Sequence, residues 1–134
     1  MDINCVLNTL QCKADEFTNN LGIKKVKVCS GKFTGYRYFG RKLMFADNFI
    51  EHLSERHLTI ILAHEIGHAF YGLSLSSFFK GRCYIDEMKA DSMCKHLTGT
   101  NLDEWRSVIY YTAKFYPNIL LNPVEYTTRK NAFI

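Results

Sequence analysis

Apolar residues recur along this chain at two spacings. From Ile3 to Leu21 they fall at steps of three and four (Ile3, Val6, Leu7, Leu10, Ala14, Phe17, Leu21), the repeat of one helix face, and Gly22 stops the run. Over Lys24–Cys29 the pattern shortens to the alternation Lys25, Val26, Lys27, Val28, which predicts a half-buried strand. Gly31, Gly35 and Gly40 punctuate the next stretch, where two further strands are predicted at Lys32–Phe39 and Lys42–Ala46. Phe49–Leu53 reads as a short helical turn.

The three-to-four repeat then returns. Ser54 is a candidate N-cap with His57 three residues on, and the helix it opens runs to about Tyr71, with Gly72 as its stop. Leu58, Ile61, Leu62, Ile66, Ala69 and Leu73 form one broad apolar face. At about 100° per residue, His64 and His68 fall well away from the middle of that face. Ile60 and Ala63 make the remainder apolar too, so this is expected to be a central helix, with core on one side and a lined cleft on the other. Leu75–Arg82 reads as a loop or irregular crossover. Tyr84–Leu97 is a second helix and Leu102–Tyr116 a third, with Asn101 as N-cap and Pro117 after it. Pro123 opens a last helix, Val124–Ala132. An N-terminal helix, a small twisted sheet of about three strands and then several helices predict an α+β fold. No repeat, linker or low-complexity tract interrupts it, so residues 1–134 are read as a single domain.

Composition narrows the function classes. With 134 residues and 47% hydrophobic content, one core is affordable and two are not. The formal net charge of +4 is mild, and the basic residues are scattered (Lys24, Lys25, Lys27; Arg41, Lys42; Arg129, Lys130). A nucleic-acid surface is therefore disfavoured against a solvated face. Met1–Asn4 lacks the basic and apolar regions of a secretory leader, and no apolar run approaches the roughly 18 residues of a membrane span. The five cysteines (Cys5, Cys12, Cys29, Cys83, Cys94) are odd in number and form no Cys-x-x-Cys pair. They are expected to be reduced thiols, each a small buried hydrophobe, in a cytoplasmic protein.

The chemistry centres on His64-Glu65-Ile66-Gly67-His68. On a helix the two imidazoles lie about one turn apart on one face and can reach one metal ion. Glu65, beside the first ligand, can hold a metal-bound water and act as general base. A catalytic zinc takes three protein ligands and keeps one open position. Glu87, in Asp86-Glu87-Met88-Lys89-Ala90-Asp91, is the leading third ligand and Asp86 its competitor. Asp91, four residues after Glu87 and on the same face, can accept the free N–H of a ligand histidine. A solvated acidic helix face is the alternative for this pair. Ala90 is small enough for the second helix to approach the first closely. His57 lies about 10.5 Å from His64 along the axis, too far to share the metal, and is expected at the surface with His52 and His96. Cys94 is expected in the core. One Zn²⁺ would bring the pKa of its water from 15.7 to about 7. Glu65 would take the proton, hydroxide would attack a peptide carbonyl, and Glu65 would return the proton to the leaving amine.

The stretch Leu43–Gly99 resembles the gluzincin metallopeptidases, above all the HtpX/CAAX-prenyl-protease family and its small soluble relatives. The matching parts, in order, are the strand Leu43-Met44-Phe45-Ala46, the segment Asp47–Ser54, the motif His64–His68, and Glu87-Met88-Lys89-Ala90-Asp91. The resemblance implies a zincin-like minimal metallopeptidase domain with zinc on His64, His68 and Glu87, Glu65 as base and Asp91 behind a ligand. It also implies that an extended protein or peptide substrate pairs with the strand near Leu43–Phe45. The family's transmembrane helices are absent, so a role on embedded or CAAX substrates is not implied. Its His-Pro segment followed by Arg is here Asn122-Pro123 with Arg129. Asn122, Arg129, Tyr110 and Tyr111 are the candidates for an oxyanion stabiliser, each with a structural role as the alternative. The ImmA/IrrE regulatory peptidases, small and cytosolic with the same His-Glu-x-x-His, are the competing resemblance. Asp91 favours the first family and the small size the second. The expected function is a zinc-dependent endopeptidase. The alternative is a non-catalytic or regulatory zincin domain that binds, or in the ImmA/IrrE manner cleaves, a specific protein partner.

Overall fold

The computed structural model describes residues 2–38, 40–72 and 84–134. Helix α1 (Ile3–Leu21) is capped by Asp2, whose side chain accepts from the Asn4 N–H, and ends on Gly22 at φ 67°, a left-handed position that glycine fills without strain. Three strands follow: β1 (Lys27–Gly31), β2 (Gly35–Arg37) and β3 (Lys42–Ala46). Then come α2 (Asp47–His52), α3 (Glu55–Tyr71), α4 (Tyr84–Thr98), α5 (Leu102–Ala113), a 3₁₀ turn at Pro117–Ile119, α6 (Pro123–Lys130) and a second 3₁₀ turn at Asn131–Phe133. Among the described residues the fold is α+β, with six α-helices and a three-stranded mixed sheet. The loop expected at Leu75–Arg82 lies outside the described residues, as do Phe39, Leu73 and Cys83.

The sheet order is β1-β3-β2, parallel between β1 and β3 (Lys27↔Lys42 to Gly31↔Ala46) and antiparallel between β2 and β3 (Gly35↔Met44 to Arg37↔Lys42). This corrects the expectation that a substrate backbone pairs with Leu43–Phe45. Strand β3 is central, and both of its edges are taken by the protein's own strands. The edge strand in contact with α3 is β2. Strand β1 starts three residues later than the alternation predicts, because side chains satisfy the backbone before it. The Gln11 amide donates to the Val26 carbonyl (2.9 Å) and accepts from the Val28 N–H (2.8 Å). Arg41 donates to the carbonyls of Lys24 and Lys25. Strand β2 is shorter than the predicted Lys32–Phe39. The third late helix also stops early, at Ala113, because Pro117 disfavours helical backbone in the residue before it; Tyr116 sits at φ −136°, ψ 87°.

Helix α3 is the hub. Ser54 caps it, accepting from the His57 N–H at 3.1 Å, and Leu58 through Ala63, Ile66 and Gly67 are all buried. It touches α1, β2, β3, α4 and α5. The core joins Leu10 and Ala14 of α1, Val28, Leu43 and Phe45 of the sheet, and Leu58, Leu62 and Ile66 of α3. Cys94 is buried there as expected, whereas Cys5 and Cys12 are exposed on the solvent side of α1 and Cys29 is half-buried. The even burial expected of the cysteines therefore fails on α1. No helix among the described residues is long and apolar enough to cross a membrane.

Candidate metal centre

The site is built on the seam between α3 and α4. A Cβ placed on Gly67 would lie 2.7 Å from the Ala90 Cα and 2.9 Å from its carbonyl oxygen. The glycine of the His64–His68 motif and the alanine of the Glu87–Asp91 motif are thus the contact point of two closely approaching helices. That contact sets the height at which the imidazoles of α3 meet the carboxylates of α4.

They meet tightly. His64 Nδ1 is 2.7 Å from Asp91 Oδ1, and His64 Nε2 is 3.0 Å from Glu87 Oε2. His68 Nε2 is 3.3 Å from the same Glu87 oxygen. Ligand atoms of His64, His68 and Glu87 all lie within 4.8 Å of one another, and Asp86, the competing third ligand, is not in that group. With the Nδ1 proton given to Asp91, His64 Nε2 turns toward a carboxylate oxygen and can bond there only through a proton or a metal ion. A tetrahedral zinc with bonds of about 2.0–2.2 Å spaces its ligand atoms about 3.3–3.6 Å apart. The two imidazole-to-carboxylate distances lie within a few tenths of an ångström of that spacing, and the donor set is one that zinc takes. Glu65, half-buried, lines the same cavity as His64 and Glu87.

Asp91 is held from behind. Arg129 Nε donates to Asp91 Oδ2 (2.7 Å), its Nη2 to Asp91 Oδ1 (3.0 Å) and its Nη1 to Glu125 Oε2 (3.2 Å). All three side chains are buried. The guanidinium also comes within 3.9 Å of Glu87 Oε2. A buried chain of alternating charge therefore runs from Glu125 through Arg129 and Asp91 to His64. Burial opposes the charged form of Arg129, but the hydrogen bond and the charge of Asp91 outweigh it and hold the pKa above its ordinary value. Burial likewise disfavours imidazolium at His64, and Asp91 and Glu87 together reverse this, raising its pKa well above normal. At Glu87, burial is outweighed by hydrogen bonds from His64 and His68, so its carboxyl lies well below the usual range.

The four candidate oxyanion stabilisers separate. Arg129 is at the site, engaged with Asp91 and Glu125. Asn122 caps α6, accepting from the Glu125 N–H (2.9 Å), and donates to the Tyr84 hydroxyl (2.7 Å). Tyr110 and Tyr111 are 61% and 43% exposed on α5, with Lys114 over both rings, and neither lines the cavity at the metal cluster. His57 is half-buried against Tyr111 rather than at the surface, while His52 and His96 are exposed. Sequence reasoning missed two participants. Glu125 stands four residues before Arg129, an i,i+4 acid–base pair that was the available signal. Tyr38, just past β2, has its phenol pushed up to about 12 by burial and then by the charges of Glu65, Asp86, Tyr36 and Glu87. No local pattern brings Tyr38 to this field.

No protein-family model, no curated protein and no solved structure matches this chain.

Proposed function

We propose that this protein is a zinc-dependent endopeptidase with a zincin-like minimal domain. One observation carries the reading: two imidazoles and one carboxylate converge with their ligand atoms all within 4.8 Å of one another, and Glu65 lines the same cavity. His64, His68 and Glu87 would hold the ion. When bound, zinc supplies Lewis acidity toward a water and a peptide carbonyl. Asp91 keeps the His64 Nδ1 proton in place, so that Nε2 remains the ligating atom. Arg129, itself paired with Glu125, holds the Asp91 carboxylate in orientation through two hydrogen bonds. Glu65 takes the proton from the attacking water and delivers it to the leaving amine. An extended peptide backbone adds to the outer edge of β2, the sheet edge in contact with α3, by main-chain hydrogen bonds.

The test compares wild type with Glu65→Gln by metal analysis and by cleavage of a panel of unfolded proteins. Both proteins should hold one zinc per chain, and only wild type should cleave, with a difference of about 10²–10⁴-fold. Equal behaviour of the two on the whole panel ends the peptidase reading. Zinc in both and cleavage by neither leaves a domain that binds a partner without hydrolysing it.

A further inference from the structure

Charge is unevenly shared along this chain. Lys and Arg number 17 and Asp and Glu 13, and seven of the cations (Lys24, Lys25, Lys27, Lys32, Arg37, Arg41, Lys42) fall in residues 22–46, which hold no acid. The remainder is net acidic, ten cations against thirteen carboxylates. Basic residues that read as scattered in the sequence are gathered by the sheet. Its register sets Lys27 opposite Lys42 and Lys42 opposite Arg37. Side chains directly opposite one another share a face. Here it is the face away from the core, since the neighbouring row of Val28, Leu43 and Tyr36 turns inward. Strands lie about 4.8 Å apart, so three cation-bearing positions fall within about 10 Å across the whole sheet. All three side chains are exposed, and among the described residues none has an ion-pair partner. Arg41, at φ 49°, donates to the carbonyls of Lys24 and Lys25 and holds two more exposed lysines at the same end of the sheet. An open recess there has Lys25, Lys27 and Arg41 in its wall, and the acid in that wall, Asp15, accepts from the Gln11 amide.

Like charges directly opposite one another in a sheet work against folding, so this row breaks a local rule with no gain inside the molecule. We propose that the row is a docking face for an acidic polypeptide segment, rich in Asp or Glu, that runs beside β2. The proposal rests on the zinc-peptidase reading for the occupant being a polypeptide. Charge complementarity gives its sign. The sheet edge gives its place. Strand β2 is an outer strand, and a backbone added to it sets one side chain opposite Arg37, where a carboxylate would close the row of Lys27, Lys42 and Arg37 with a counter-charge. The same face argues against single-stranded nucleic acid. Its next row is Cys29, Met44 and Gly35, and the strand aromatics Tyr36 and Phe45 turn to the core. The strands therefore offer no ring on which a base could stack.

Binding is read by fluorescence anisotropy on the full chain, zinc-loaded and metal-free, the second so that probe carboxylates cannot ligate zinc. The probes are a labelled peptide of alternating Glu and Gly, its Gln counterpart, an oligothymidylate of equal length, and vesicles of phosphatidylcholine with phosphatidylserine. The Glu peptide should bind at least tenfold more tightly than the Gln peptide, with or without zinc, and more weakly as salt is added. Arg37→Glu and Lys42→Glu should each weaken it at least tenfold, with zinc content unchanged. Arg37→Gln, which removes the charge without making a new cross-strand pair, should weaken it in the same sense. Lys95→Glu, the same charge change at an exposed position of α4, should leave it within about twofold. In a cleavage assay on a library of random peptides, acidic residues on one side of the cleaved bond should be enriched at least tenfold, and Arg37→Gln should erase that preference. Equal losses in Lys95→Glu and Arg37→Glu, or cleavage indifferent to acidic residues and to position 37, overturn the face and leave the peptidase standing. Tighter binding of the oligothymidylate, of the vesicles, or of a second copy of the chain in a salt-sensitive dimer overturns the polypeptide occupant. Glu-peptide binding that depends on position 37 without any cleavage supports the face and overturns the peptidase. Neither binding nor cleavage overturns both.

Discussion

Helix α3 meets α1 along one stripe and α4 along another, and the two seams follow different rules. Toward α1, Lys13 reaches Thr59 (2.9 Å) and Glu55 (3.0 Å) at the partly exposed rim, and behind them Leu10 and Ala14 join the hydrocarbon of the main core. Toward α4, the carbonyl of Ile60 meets Cys94, His64 meets Asp91, and Gly67 meets Ala90. Those positions are spaced by four and three residues, one stripe of a helix. The first seam is held by apolar area, which is non-directional, so any filling of the right volume serves. The second holds buried charges, which are stable only with partners at hydrogen-bond distance. A helix that carries both can be well folded on one side and poised for chemistry on the other.

The sharpest break in this contrast comes from removing a charge. Arg129→Ala leaves Asp91 and Glu125 buried without their cation and should destabilise the fold by about 3–5 kcal/mol. It should also lower zinc affinity about 10–100-fold, because Asp91 no longer holds the His64 ring. On the apolar side, Leu10→Ala should cost a similar stability of about 2–5 kcal/mol, with zinc affinity unchanged in the folded fraction. Urea unfolding combined with a competitive zinc chelator separates the two quantities. Equal losses of zinc affinity in both variants would mean that the seams are not distinct.

Gly67→Ala is a smaller lesion aimed at the same seam. The added methyl meets Ala90 backbone rather than a mobile side-chain end, so α4 must shift. Overpacking of this kind costs about 1–3 kcal/mol, and the shift moves Glu87 and Asp91 together. Zinc affinity should fall further than the stability loss alone explains, and a variant that unfolds earlier yet binds zinc as wild type does would contradict the close-approach role.

The pattern of three- and four-residue steps was enough to find α1 and α3, because each puts an apolar stripe into one core. The two-residue alternation found the region of β1 but misjudged its start, since the Gln11 side chain replaces a strand partner there and periodicity cannot see a contact made by a residue in α1. The candidate metal site was legible because both motifs are local: His64 with His68, and Glu87 with Asp91, each one turn apart on one helix. The position of Leu43–Phe45 inside the sheet was not, because strand order is a long-range property that no local pattern carries. Arg129 is one of four candidate oxyanion stabilisers by sequence, with a structural role as the alternative; its partner Asp91 lies 38 residues away, and the contact between them is legible only in the fold.

The most delicate separation of the seams is by pH in the metal-free protein. His64 has its pKa raised in the fold, the pull of Asp91 and Glu87 outweighing burial, so its contribution is complete below the ordinary 6.5 and is lost as pH rises through the folded value. Glu87 has its pKa lowered, the hydrogen bonds of His64 and His68 outweighing burial, so its contribution is complete above the ordinary 4.5 and is lost as pH falls. Stability follows the difference in bound protons between the two states, so metal-free protein should be most stable between about pH 4.5 and 6.5 and weaken on both sides. Glu87→Gln should flatten the acid limb and move the alkaline limb to lower pH, because one of the two carboxylates supporting imidazolium at His64 is gone. Leu10→Ala should lower the whole curve without changing its shape. Zinc should raise the alkaline side most, since deprotonated imidazole is the form that ligates. Melting temperatures across pH 3–9 check all three, and parallel curves for wild type and Glu87→Gln would show that the α4 seam is not held by these charges.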